Sequence, residues 1–371
     1  MANINSFLKK LKAETGGESF KASRFGDVNN WISTGSYALN RILSGSIYKG
    51  IPSGRITILG GESSSGKSLI SAFIAANAIK DGYDAVFYFD AEGGGLASFF
   101  EGVGCDTEKV IQILVESVED AQIQILKTFK SIQEFKEENP DAKFLCILDS
   151  LGALVAEKVI RDADKDKVAS EMGGRSKIVN NMVKAITIPA LKSDTAMLIL
   201  NHIYDDPSAM FASKIKNQGG GRGLQYMGTI NVQCSRLLEK DESKDSEAFH
   251  SGTNLNFFTV KNRCCRPSLE TRIYLDFKKG FTNKYDGLFD EAIRGGFIEC
   301  PSQGYFTVPS WSDPDKKWRK SQIESNEEVW KTFIDKFDEW SQNDLKYSKA
   351  AQDAIKEAEE AEEAEKLEET E

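Results

Sequence analysis

Arg55-Ile56-Thr57-Ile58-Leu59-Gly60-Gly61-Glu62-Ser63-Ser64-Ser65-Gly66-Lys67-Ser68-Leu69 carries a short run of branched apolar residues into a glycine- and serine-rich turn that closes on Gly-Lys-Ser. The run RITIL reads as a buried strand and KSLISAFIAANAIK beyond it as a helix, so the turn sits where a strand feeds a helix N-terminus. Gly61 to Ser68 fits G-x-x-x-x-G-K-[ST], the phosphate-binding loop. Glycines let backbone N–H groups turn inward around phosphate oxygens, and the helix N-terminus adds its dipole. Lys67 is expected to reach the terminal phosphates and the Ser68 hydroxyl to bind Mg²⁺, with Gly61, Glu62, Ser63, Ser64, Ser65, Gly66 and Leu69 completing the cradle. A Gly/Ser-rich surface turn is the plainer reading of the same letters, and the flanking strand and helix argue against it.

Outward from the loop, DAVFYFD (84–90) and apolar runs at 110–114, 144–149 and 195–201 alternate with helical stretches at 117–138 and 171–192. Strands separated by helices need crossover connections, which predicts an α/β fold with a mostly parallel central sheet and helices on both faces. After residue 229, INVQCSRLLE, TNLNFFTVKNR and TRIYLDFKK follow without a helical spacer and predict an antiparallel extension of that sheet. Residues 286–300 read as a small helix and turn, and 324–342 as one helix with Val329, Trp330, Phe333, Ile334, Phe337 and Trp340 on a stripe. Near the start, 3–12 fits a short amphipathic helix with Phe7, Leu8 and Leu11 on one side.

The chain has 371 residues, enough for one large core with appendages or for two domains. Its longest apolar runs, FLCIL and AMLIL, are too short to cross a bilayer, and MANINSFLKK lacks the pattern of a secretory signal. A reducing cytoplasm is expected, with Cys105, Cys146, Cys234, Cys264, Cys265 and Cys300 as free thiols and no C-x-x-C pair to begin a zinc site. With only His202 and His250, a histidine-rich metal site is disfavoured. The net charge of −10 is local: residues 353–371 hold ten acids and two lysines, which leaves −2 for the remainder. Overall charge therefore argues neither for nor against a nucleic-acid partner.

Two further carboxylates stand at strand ends. Asp149 closes the apolar strand Phe144–Asp149 and, paired with a phosphate loop, is expected to complete the Mg²⁺ shell. Glu92 follows the run Phe87-Tyr88-Phe89-Asp90, one strand on from the loop; at the end of a neighbouring strand it would polarise water for attack on a γ-phosphate. A solvated glutamate explains that position equally well from residue type alone.

The order ISTG (32–35), IPSGRI (51–56), GGESSSGKS, FDAE (89–92), LDSLGAL (148–154), EMGGRSK (171–177), LILNHIY (198–204), GGG (219–221), VKNR (260–263) and DGLFDEAI (286–293) resembles the ATPase core of RecA-family strand-exchange recombinases, most of all the phage UvsX branch. The resemblance implies an ATP- and Mg²⁺-dependent DNA-dependent ATPase that polymerises on single-stranded DNA, pairs it with duplex DNA and exchanges strands. It implies Glu92 as the catalytic glutamate, Phe99 stacking on adenine, and His202 sensing the γ-phosphate, since a ring N–H can donate to phosphate. Lys261 and Arg263 resemble the cation pair that reaches the neighbouring subunit's ATP. Segments 155–177 and 203–223 resemble the DNA-contacting loops, although they hold six cations against five acids and three against two. Arg175, Lys177, Lys214, Lys216 and Arg222 would meet DNA phosphates there, and Met210 and Phe211 would wedge between bases.

By the same resemblance, 1–30 would dock on the next subunit of a filament and 31–285 would form the ATPase and DNA-binding core; residue pattern and charge set off 286–352 as a small helical region and 353–371 as an acidic tail, expected to compete with DNA for the cationic loops or else to serve as a solubilising run. A recombination mediator and a single-strand-binding protein would be further partners, with no membrane involved. The triple glycine 93–95 departs from the family pattern and is expected to loosen the purine side of the site. A ring-forming helicase on the same core and a non-catalytic ATP-dependent scaffold are the alternatives.

Overall fold

A computed structural model describes residues 4–19, 23, 25–163, 165, 174–204, 215–237 and 252–346. In chain order its elements are α1 (Ile4–Thr15), β1 (Trp31–Ile32), α2 (Tyr37–Ser44), β2 (Ile51–Pro52), β3 (Ile56–Gly61), α3 (Lys67–Lys80), β4 (Ala85–Asp90), α4 (Ala97–Gly102), β5 (Val110–Leu114), α5 (Val118–Glu138), β6 (Phe144–Asp149), α6 (Glu157–Ala163) and α7 (Gly174–Lys192). There follow β7 (Ala196–Tyr204), β8 (Asn217–Gln218), β9 (Ile230–Arg236), β10 (Gly252–Asn262), β11 (Glu270–Asp276), α8 (Phe289–Arg294), β12 (Glu299–Ser302), β13 (Tyr305–Thr307), α9 (Lys320–Glu324), α10 (Glu327–Lys331) and α11 (Ile334–Leu345).

The central sheet runs β11-β10-β9-β3-β7-β6-β4-β5, with β8 attached to β7. Strands β9, β3, β7, β6, β4 and β5 pair parallel, and β10 and β11 add antiparallel, which is the expected parallel sheet with its extension. Side-chain alternation sorts each buried strand between two cores. Ile56, Ile58, Cys146, Leu148, Met197 and Ile199 face α5 and α7, while Leu59, Leu145, Ile147, Leu198 and Leu200 face α2 and α3. Helix α5 begins where the Ser117 hydroxyl accepts from the Asp120 N–H, and Glu119 and Asp120 suit its positive end.

Two expectations need correction. β4 is not a neighbour of the loop-bearing strand, because β7 and β6 lie between it and β3; its own neighbour is β6, which sets Asp90 opposite Asp149. The stretch 324–342 is not one helix: α10 ends at Lys331 and Phe333, at φ −138°, interrupts the helical path before α11. The stripe survives the break, since Val329, Trp330, Phe333, Ile334 and Phe337 are buried in the same cluster as Leu39 and Ile42 of α2. Helix α1 buries none of its residues, leaving Ile4, Phe7, Leu8 and Leu11 exposed. Residues 353–371 lie outside the described residues.

Candidate nucleotide site and its surroundings

The phosphate loop leaves β3 at Gly61 and enters α3 at Lys67. Gly66 holds φ +81° as the residue before the helix, a left-handed conformation that glycine adopts without a Cβ penalty. Lys67 is nearly buried, and its ammonium donates to the carbonyls of Gly61 (3.1 Å) and Glu62 (2.7 Å). Burial pushes its pKa below the ordinary lysine range, with the charge of Asp149 the chief opposing influence. Asp149 stands 5% exposed at the end of β6 and accepts the Tyr88 hydroxyl at 2.7 Å. Burial raises its carboxyl pKa, against the lowering effect of hydrogen bonds from Tyr88 and Ser68. A hydroxyl and a carboxylate in contact at a helix N-terminus form a hard oxygen donor set of the kind that suits Mg²⁺ held between protein and phosphates.

Beyond Asp149 the peptide bond to Ser150 is cis. The Ser150 hydroxyl donates to Glu92 Oε1 at 2.6 Å and lies 3.3 Å from His202 Nε2, which is itself 3.3 Å from the same Glu92 oxygen. Strands β4, β6 and β7 thus deliver Glu92, Ser150 and His202 to one point. Both Glu92 and His202 keep substantial side-chain exposure, so the cluster faces solvent. Gly152 makes room for the ring, since a Cβ there would lie 2.3 Å from His202 Cδ2.

The turn after Glu92 is pinned by Asp90. Its Oδ1 accepts the N–H groups of Glu92 (3.0 Å) and Gly93 (2.7 Å), and its Oδ2 accepts Gly95 N–H (3.0 Å) and the Gln112 amide (2.8 Å). Burial alone would raise the Asp90 pKa, but these donors together bring it below the ordinary value. The glycines therefore shape a turn built on one carboxylate. Phe99 lies half-buried on α4, edge-on to Phe100 with ring centroids 6.0 Å apart.

Lys261 and Arg263 sit elsewhere. β10 runs antiparallel to β9, which is parallel to β3, so the end of β10 lies at the start of β3, opposite the phosphate loop. Lys261 Nζ donates to the carbonyls of Tyr226, Met227 (2.9 Å) and Gly228 (2.7 Å), and burial followed by Arg263 lowers its pKa. Arg263 is exposed on a cleft of about 600 Å³ whose other cations are Lys49, Arg55 and Lys346.

The residues expected to meet DNA divide. Arg175 donates to the carbonyls of Leu151 (2.7 Å), Gly152 (3.0 Å) and Leu154 (2.6 Å), fastening the segment after Ser150. Lys177 is exposed on α7. Lys216 pairs with Glu62 of the phosphate loop. Met210, Phe211 and Lys214 lie outside the described residues, as does the side chain of Arg222. Ser150, Tyr88, Asp90 and Gln112 join the site although the sequence motifs give none of them a role. Ser150 had a signal, a hydroxyl directly after the strand-end aspartate, whereas nothing in the sequence around Gln112 ties it to Asp90.

The family model for the RecA N-terminal domain matches residues 3–282. The recombination and repair protein of Enterobacteria phage T4 is 27% identical over 308 residues, covering 82% of this chain and 74% of that protein. Protein RecA of Mycoplasma mobile is 28% identical over 283 residues, covering 75% and 78%. Protein RecA of Aquifex aeolicus is 26% identical over 308 residues, covering 83% and 82%.

Proposed function

The chain belongs to the RecA family, and we propose that it works as that family's recombinase through an ATP site completed only between subunits. It is a DNA-dependent ATPase of DNA recombination and repair, of a family typified by filaments on single-stranded DNA and by strand exchange.

Within one subunit, residues 61–69 and Lys67 hold the triphosphate, and Ser68 with Asp149 holds Mg²⁺. The ion, when bound, offsets charge on the β- and γ-phosphate oxygens. Glu92 orients the attacking water. With its proton on Nε2, His202 donates to Glu92 alongside Ser150. A γ-phosphate oxygen would draw that N–H away and leave Glu92 free to polarise water. His202 also carries the message outward, because its carbonyl accepts Gly219 N–H (2.9 Å) at the base of the second DNA loop.

One observation carries the composite site: Lys261 and Arg263 lie at the end of the sheet opposite their own phosphate loop. They can serve a nucleotide only on another copy. A surface that offers cations at one end and a phosphate loop at the other makes head-to-tail contacts, which build an open helical filament when the rotation between copies does not close into a ring. Helix α1, with its exposed apolar stripe, supplies a further contact to the neighbour. Single-stranded and duplex DNA are the substrates, and a recombination mediator and a single-strand-binding protein are the accessory partners. The cytoplasm, that of the host if the chain is phage-encoded, is where those substrates would be met. Electron microscopy with single-stranded DNA and a non-hydrolysable ATP analogue tests this reading. Open helical filaments are expected, with ATP hydrolysis lost in Lys261→Ala/Arg263→Ala, and closed rings would overturn it.

A further inference from the structure

Five carboxamide side chains are buried around β8 and β9: Asn201, Gln218, Gln225, Asn231 and Gln233. Burying so many amides costs stability unless each is matched, so their pairing is informative. Gln218 Nε2 donates to Asn231 Oδ1 at 2.6 Å, and Asn231 Nδ2 returns to Gln218 Oε1 at 3.3 Å. Asn201 Nδ2 donates to Gly219 O at 2.8 Å. The remaining two converge on a single residue. Gln233 accepts Lys216 N–H at 2.9 Å and donates to Lys216 O at 2.8 Å, while Gln225 donates to that same carbonyl at 2.9 Å.

The backbone of Lys216 is therefore clamped against β9 at the register position of Gly60 in β3. Gly60 leaves room for this arrangement, because a Cβ there would lie 2.8 Å from Ile203 Cγ2 and 3.2 Å from Gln218 Nε2. From that fixed base the Lys216 side chain, largely covered, reaches Glu62 Oε1. Glu62 is thus held by two lysines, its carbonyl by Lys67 and its carboxylate by Lys216.

A carboxylate within a phosphate-binding loop is an electrostatic liability, since it repels the phosphates the loop must take up. We propose that Lys216 is a positioning residue of the nucleotide site, not a DNA contact: it neutralises and orients Glu62, and so ties the phosphate loop to the chain that returns from the second DNA loop. The proposal rests on the reading of residues 61–69 as the ATP site.

The test is a double-mutant cycle in the full-length protein, read by binding of a fluorescent ATP analogue without DNA and by ATPase kinetics with DNA. Lys216→Met should raise the ATP Kd and KM about tenfold with kcat changed less than about twofold, and Lys216→Arg should restore most of the loss. In a Glu62→Gln background the Lys216→Met change should leave ATP affinity where Glu62→Gln alone sets it, because an uncharged residue 62 needs no partner. Thermal midpoints within about 2 °C of the parent would set aside simple unfolding.

A Lys216→Met defect that persists in the double variant would overturn the proposal. So would unchanged ATP affinity together with weaker DNA binding and a salt slope lower by about one, the signature of a lost phosphate contact. Lys67→Ala separates the two readings. If that variant still binds ATP normally, the assignment of the site itself fails; if it does not, a failed cycle bears on Lys216 alone.

Discussion

At the scale of residues, three side chains meet from three strands. Ser150 donates to the one Glu92 oxygen that His202 also approaches, so it fixes the direction in which the carboxylate points. Ser150→Ala should lower kcat about 10- to 100-fold with little change in the ATP KM, since orientation matters most at the transition state; steady-state ATPase assays on DNA check this, and an unchanged kcat would remove Ser150 from the mechanism. Asp149 shows the opposite relation between function and stability. Its carboxyl is buried and its pKa raised, so the ionised form costs folding energy. Asp149→Asn keeps the shape and should raise the melting temperature by about 1–3 °C while abolishing Mg²⁺-dependent nucleotide binding. Calorimetry and nucleotide titration with and without Mg²⁺ read both effects, and a destabilised variant would contradict the burial argument.

At the scale of elements, what was legible in the sequence was what is local. The phosphate loop could be read because strand, turn and helix are contiguous, and Asp149 because it ends an unbroken apolar strand. The partners of Glu92 could not be read in that way, because which strands neighbour one another depends on sheet order. β4 lies beside β6 and three places from β3, and only that order brings Ser150 to Glu92. The triple glycine looked like a loosening, yet Asp90 and Gln112, the latter on β5, order the turn from side chains that no local pattern connects. The break before α11 was likewise hidden, because an apolar stripe is kept on both sides of it.

Gly152 is where this element-level packing can be tested. A methyl there would collide with the His202 ring. Gly152→Ala should displace His202 and uncouple ATP hydrolysis from DNA, lowering DNA stimulation about tenfold or more while basal ATP binding persists. Full DNA stimulation in that variant would show that the ring position is unimportant. Helix α1 offers a second test, since it buries nothing within its own chain. Phe7→Glu with Leu11→Glu should shift the melting temperature by less than about 1 °C yet shorten filaments on single-stranded DNA, as judged by electron microscopy. Filaments of parental length would remove α1 from the interface.

At the scale of the whole molecule, the proposed composite site makes a single subunit an incomplete enzyme. The sheet carries the phosphate loop, Asp149, Glu92 and His202 at the carboxyl ends of its parallel strands, and Lys261 and Arg263 at the other end of β3. On that proposal ATP turnover reports assembly, because the cations that complete a site would belong to the next copy. Mixing two inactive proteins tests this most directly. Lys67→Ala keeps the cations and loses the phosphate loop, whereas Lys261→Ala/Arg263→Ala does the reverse. When the two co-assemble on single-stranded DNA, roughly a quarter of interfaces in a random equimolar mix should pair an intact loop with intact cations. ATPase activity should return and peak near equal proportions. No recovered activity at any ratio, with co-assembly demonstrated by energy transfer between labelled subunits, would contradict the composite site.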